Sequence, residues 1–293
     1  MTRTLFEKLT LIMSWAASFI LIIAVVILIG FLIKKGITAI NLKLIFGDVS
    51  PVDAILLRKQ VFDGLFPAII GTFILISCSI VIAVPIGIAT GIYMAEYAKG
   101  KFKAIFTLLF DVLAAIPSIV VGLAGLSLTI YLHKLFPNRV GPSVFISACS
   151  LALLVLPYLI RSTQSALEGI DPIIRITAPS LGASRLQNVI KVLIPNAMSD
   201  IVGGVILAVG RCAEDTAVIM LTGAVAVAGI PKTIFNQYEA LPFYIYYISS
   251  QYTTPQELAS GYGAAILLLL LCVTLLIFAL WIQKRLTILL LYQ

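Results

Sequence analysis

Charge is what this sequence has least of: Asp, Glu, Lys and Arg make up 11% of its 293 residues, against about 25% in soluble globular domains. That scarcity excludes an ordinary soluble domain. It also excludes a disordered chain, which needs high net charge and low hydrophobicity. Cysteine is sparse too. Cys78, Cys149, Cys212 and Cys272 all lie inside apolar stretches with no metal-ligand spacing, and they read as small packing residues rather than disulfide partners or metal ligands. The single histidine, His133, stands beside Lys134 at a predicted helix end and reads as a solvated surface group. No metal cluster and no cofactor is expected. HExxH, GxSxG and G-x-x-x-x-G-K-[ST] do not occur, which argues against an intramembrane hydrolase and excludes ATP binding through a phosphate loop.

Apolar residues are what the chain has in abundance. They form 61% of it, and the mean hydropathy of +1.11 indicates a membrane protein. The formal charge of +7 (20 basic minus 13 acidic residues) sits mostly between apolar runs, where membrane topology accounts for it without nucleic acid.

Gaps in charge locate the spans, since a ~30 Å hydrocarbon core needs about 20 helical residues. No Asp, Glu, Lys or Arg lies between Lys8 and Lys34, Asp63 and Glu96, Asp111 and Lys134, Arg139 and Arg161, or Glu257 and Lys284. A sixth run, Ile201 to Ala228, is interrupted by Arg211, Glu214 and Asp215. The expectation is an all-α membrane protein with six spans near 11–33, 65–95, 104–133, 143–162, 200–224 and 260–283. The first run is longer than a signal-peptide core of 7–15 residues and has no clear cleavage site after it, so it reads as a retained helix. With the N-terminus inside, inner segments hold 11 Lys and Arg and outer segments hold eight; this bias puts both termini in the cytoplasm. Pro85 with Gly87 and Gly91, and Pro117 with Gly122 and Gly125, read either as close helix packing with kinks or as the lining of a pathway.

The inner loop from Arg161 to Asp200 is too polar to span. Leu181, Leu186, Val189, Ile190 and Leu193 follow helical spacing, and Pro195 is expected to stop the run. A short amphipathic helix there would lie on the membrane surface or dock a cytoplasmic partner.

Arg211, Glu214 and Asp215 are a functional hypothesis in their own right, because charge at mid-bilayer costs roughly 2.5–3.5 kcal/mol per residue even on the lenient scale and so faces a bundle interior or wet cavity. At i,i+3 and i,i+4 the arginine can pair with either acid. Two readings stand: a satisfied ion-pair network pinning helices, or an anion path in which the arginine fork meets oxyanion oxygens and the acids keep binding weak. Asp111, six residues before Pro117, would balance Arg211, cap a broken helix or sit near the interface.

The inner loop resembles the coupling segment of the integral-membrane subunits of bacterial ABC importers: EAA, three residues, Gly, nine residues, Ile, one residue, Leu-Pro. Ala178, Gly182 and Pro195 match it, Val192 and Ile194 are conservative replacements, and Ile176 and Thr177 depart from its opening Glu-Ala. Three stretches, GTFILISCSIVIAVPIGIATGIYMAEYA (71–98), LAAIPSIVVGLAGL (113–126) and GRCAEDTAVIMLTGAV (210–225), are similar to the PstA family of phosphate-importer permeases, as are ALPFYIY (240–246) and ASGYGAAILLLLL (259–271). The resemblance covers about 64–285. It implies an importer core of five helices plus one N-terminal helix, with residues 1–62 forming that helix and an outer loop and 63–286 the permease domain. It implies that the subunit carries phosphate across a bacterial or archaeal cytoplasmic membrane and is not itself an enzyme. The pathway residues would be Arg211, Asp215, Glu214 and Asp111, and Ala178, Gly182, Ala183 and Pro195 would couple to the ATPase. The implied partners are a PstB-like ATPase subunit, a PstC-like second permease subunit and a PstS-like extracytoplasmic binding protein. The alternatives are a permease for sulfate, molybdate or tungstate; an ion-coupled secondary transporter, which would need no docking loop; and a membrane scaffold.

Overall fold

The computed structural model describes residues 2–136 and 141–291, with side-chain surroundings over 7–136 and 141–285. The described chain is helical. α1 (Thr2–Gly36) leads into two short helices, α2 (Leu42–Phe46) and α3 (Pro51–Ile55), and then α4 (Phe66–Glu96). α5 (Gly100–Ala115), α6 (Ser118–Leu135) and α7 (Val144–Glu168) follow, then the loop helices α8 (Pro172–Ser180) and α9 (Arg185–Asn188). A π-turn (Val189–Leu193) joins α9 to α10 (Ile194–Glu214); α11 (Thr216–Thr222), α12 (Leu241–Gln251) and α13 (Pro255–Leu291) complete the chain. Among the described residues six stretches are long and apolar enough to cross a membrane: Glu7–Gly36, Phe66–Glu96, Ser118–Leu135, Val144–Glu168, Arg185–Glu214 and Pro255–Arg285.

Two expected spans are broken. Pro117 has no amide hydrogen and holds Ile116 extended (ψ 127°), so the third span divides into α5 and α6. The fifth divides at Asp215, whose backbone is also extended (ψ 109°). The amphipathic helix differs from expectation as well. Residues from Arg185 onward run straight into α10 through the π-turn, in which Ile194 N–H donates to the Val189 carbonyl, and this shift of the hydrogen-bond ladder seats Pro195 in the first turn of α10 without stopping the run. The separate surface helix is α8, further upstream.

α7 is the axis of the bundle. It packs against α4, α5, α6, α10 and α11, and Leu151, Val155 and Leu159 on it are fully buried. Gly87 and Gly91, one turn apart on α4, let the two backbones approach: a Cβ at 87 would stand 2.7 Å from Leu159 Cβ, and one at 91 would stand 2.6 Å from Thr163 Cβ. With no hydrophobic drive between helices in lipid, this small-residue contact supplies the packing. The close-packing reading of these glycines therefore holds. Cys212 is buried in the same core, and all four cysteines are free thiols.

At the end of the bundle away from α8, the segment 223–240 folds back over the helices. Among the described residues its one β pairing is an isolated bridge between Ala224 and Tyr238. Val144 N–H and Phe145 N–H donate to the carbonyls of Asn236 (3.1 Å) and Ile234 (2.8 Å). α1 stands outside this core with exposed apolar side chains and leans on α13, where the Phe31 and Tyr262 rings meet edge to face at 5.9 Å.

Candidate functional site

Asp215 explains why the charged stretch is a helix break. Its Oδ1 accepts a hydrogen bond from Val218 N–H at 2.8 Å, capping α11 and satisfying one of the donors that a new helix leaves open. The side chain is buried. Asp215 therefore lies off the arginine fork, and the acid that pairs with Arg211 is Glu214, whose Oε1 accepts from Nη1 at 2.7 Å.

The Arg211–Glu214 pair is open to its surroundings, with side-chain exposures of 42% and 62%. One nitrogen of the guanidinium is engaged with Glu214, while Nε is buried with no hydrogen-bond partner among the described residues. Arg211 lines a cavity of about 300 Å³ together with Tyr158, Ser162, Gly204, Leu207 and Ala208. The cavity lies between α7 and α10, whose approach at this level depends on Gly204 facing Ser162. A guanidinium with spare donors beside small residues and two hydroxyls suits an oxyanion.

Asp111 does not balance Arg211. Its Oδ1 lies 3.1 Å from Nε of Arg161 on α7, and Tyr158, one turn earlier, donates from its hydroxyl to the Ala114 carbonyl at 3.1 Å. α5 is thus stapled to α7 beside the Arg211 cavity. His133 lies in the last turn of α6, and among the described residues no group of His, Cys, Asp and Glu could hold a metal.

Of the matched coupling residues, Ala178, Gly182 and Ala183 lie in α8 or in the turn that follows it, and Pro195 lies in the first turn of α10. Asp171 caps α8 by accepting from Ile173 N–H at 2.7 Å, and Ala178 lies in its last turns. Gly182 takes φ +88° in the turn that ends it, where Ala183 N–H donates to the Ala178 carbonyl at 3.1 Å. A side chain there would meet no neighbour, so the glycine serves the positive φ. Ser184 and Gln187 then form a capping box that starts α9. No side chain of α8 is buried; Ile173, Ile176 and Leu181 form an exposed apolar patch, with Leu181 85% exposed.

Two further sites were not assigned from the sequence. Glu96, the last residue of α4, is 8% exposed and pairs with Arg175 of α8, Oε1 to Nη1 at 2.5 Å. Its signal was a lone acid closing an apolar run. Glu239, at the opposite end, is buried and accepts from the amides of Gly229 (2.7 Å) and Ala228 (3.0 Å). Burial raises its pKa above the ordinary carboxylate value, and the two amide donors pull it back only in part.

Known proteins share this architecture. The family described as "Binding-protein-dependent transport system inner membrane component" matches residues 87–288. The phosphate transport system permease protein PstA of Haemophilus influenzae is 32% identical over 83% of this chain and 82% of its own length. The probable ABC transporter permease protein YqgI of Bacillus subtilis is 28% identical over 98% of this chain and 99% of its own. Among solved structures, a bacterial alginate ABC transporter in complex with its pentasaccharide-bound periplasmic protein has a chain that superposes with a TM-score of 0.63 at 18% identity, covering 93% of this chain and 95% of that one. The six membrane-capable helices, the α8 loop with its Gly182 turn and these matches lead to one conclusion: the chain belongs to the inner-membrane component family of binding-protein-dependent transport systems, the permease subunits of ABC importers.

Proposed function

We propose that this chain is the PstA-type permease subunit of an ATP-driven phosphate importer, with both termini in the cytoplasm of a bacterium or archaeon. Residues 1–62 serve as an anchoring helix and outer loop, and 63–286 as the transport domain. The observation that carries this reading is the half-neutralised Arg211: one nitrogen held by Glu214 at 2.7 Å, the remaining donors beside a 300 Å³ cavity. Full neutralisation would leave no anion affinity, and none would hold phosphate too tightly for passage. Glu214 supplies the intermediate case, Asp215 keeps the helix broken at that depth, and Asp111 holds Arg161 beside it. The exposure of the Arg211 pair in the single chain supports a second, PstC-like permease subunit, since lipid contact at that depth would cost several kcal/mol. The apolar face of α8, with Ala178, Gly182 and Ala183 shaping its end and Pro195 standing further on in α10, receives a PstB-like ATPase. The outer segment 223–240 meets a PstS-like binding protein.

Uptake of radiolabelled phosphate into proteoliposomes holding the co-purified complex tests this. ATP-dependent uptake should compete with arsenate but not with sulfate or molybdate. Arg211→Ala should reduce it by on the order of 100-fold, the scale of one lost charged donor at an anion, and Arg211→Lys should restore part of it as a point charge without the fork. Wild-type uptake by Arg211→Ala would remove the arginine from the path, and competition by sulfate or molybdate would reassign the anion.

A further inference from the structure

α8 presents a problem of attachment. A helix that receives the push of a partner must pass it to the membrane spans, yet α8 fully buries none of its own side chains, so its apolar grip on the bundle is slight. What holds it is polar and converges on Arg175. That guanidinium reaches Glu96 Oε1 at the end of α4 (2.5 Å) and the Leu167 carbonyl at the end of α7. The Arg175 carbonyl accepts from Asn188 Nδ2 of α9 at 3.0 Å. Glu96 is engaged a second time, because its carbonyl accepts from Arg185 of α9, whose guanidinium lies 4.8 Å above the Tyr97 ring. One residue at the tip of a 31-residue helix thus meets both halves of the loop, its carboxylate holding Arg175 of α8 and its main-chain carbonyl holding Arg185 of α9.

We propose that Glu96 is the positioning residue that makes α8 and α4 move as one body, so that displacement of α8 by an ATPase is delivered to the spans through the Glu96–Arg175 pair. This rests on the importer reading above and adds the mechanical link. The importer pattern has a glutamate at the position of Ile176, which is apolar here and exposed. In this chain the anchoring charge stands one residue earlier, on Arg175, and turns inward to its own α4. The pair is buried on the Glu96 side, where breaking it leaves an uncompensated charge. α4 packs along α7 through Gly87 and Gly91, so a shift of its tip is carried to the helix that lines the Arg211 cavity.

The test is the ratio of anion moved to ATP hydrolysed in proteoliposomes of the complete complex, read for wild type, Glu96→Gln, Arg175→Gln and the double variant. Each single variant should keep the ATPase bound and hydrolysing while the ratio falls by roughly five-fold or more, the lower range for loss of one coupling contact. The double variant should be no worse than either single, as expected of one shared link. Should Arg175→Gln fail to assemble because it leaves the buried Glu96 carboxylate unpaired, Glu96→Gln, which removes that charge, carries the same test. A wild-type ratio in both singles, or additive losses in the double, overturns the link while leaving the importer reading intact. Absence of ATP-driven uptake by the wild-type complex overturns both.

Discussion

Three arginines in or beside the spans each take a carboxylate, and the pairing fixes what each can do. Arg211 keeps spare donors because Glu214 engages a single nitrogen; Arg161 and Arg175 are turned to Asp111 and Glu96 in contacts that join helices. Glu239 follows a different rule. Among the described residues no cation pairs with it, and it is held by two amides in a buried turn, with its pKa raised by burial. A carboxyl whose folded pKa lies above its unfolded value gives stability that is complete below the unfolded value, about 4.3, and is lost as pH rises through the folded value. Limited proteolysis of the 223–240 segment should therefore speed up as pH rises above the ordinary carboxylate value, after correction for protease activity, and Glu239→Gln, which keeps the accepting oxygen, should flatten that dependence. Equal slopes in both proteins would contradict the assignment. Arg211 could be singled out from the sequence because charge inside an apolar run is costly wherever the chain folds. Glu96 and Glu239 could not, since each ends a run or sits in a loop, and burial there depends on what packs over it.

At the scale of the element, helix breaks carry the design. Pro117 and Asp215 divide two spans, and both breaks adjoin the cavity helices. Proline announces itself in sequence, whereas an aspartate reads equally as a cap or as half of an ion pair, and only the Val218 bond at 2.8 Å decides. Asp215→Ala should cost about 1 kcal/mol through loss of the cap, seen as a lower unfolding temperature in detergent, while Asp215→Asn should retain most of it. An asparagine variant as unstable as the alanine one would mean that the charge itself is required. The surface helix lies upstream of the expected run for a related reason. Apolar spacing from Leu181 to Leu193 is helical, but the same spacing continues into α10, and Pro195 falls in that helix's first turn, where proline is tolerated. The turn at Gly182 separates α8 from that run, and its φ of +88° is a property that glycine permits without announcing.

For the whole molecule, six spans were legible because the bilayer imposes a length and a charge rule on every crossing segment, whereas the importer architecture was legible only through the resemblance of stretches such as 71–98, 113–126 and 210–225 to a known family. What joins the spans was less legible, since contacts such as Glu96 to Arg175 connect residues 79 positions apart and have no periodicity to betray them. The central claim is that this chain is half of an engine whose power stroke arrives at α8. Co-purification of the tagged chain from detergent, comparing wild type with an Ile173→Arg/Leu181→Arg variant, tests it most directly. Both side chains are exposed, so the substitutions spare the fold and remove only the apolar docking face. The account predicts that a separate ATPase accompanies the wild-type chain in stoichiometric yield and is lost from the variant; an ATPase retained in full by the variant, or never recovered with the wild type, would contradict it.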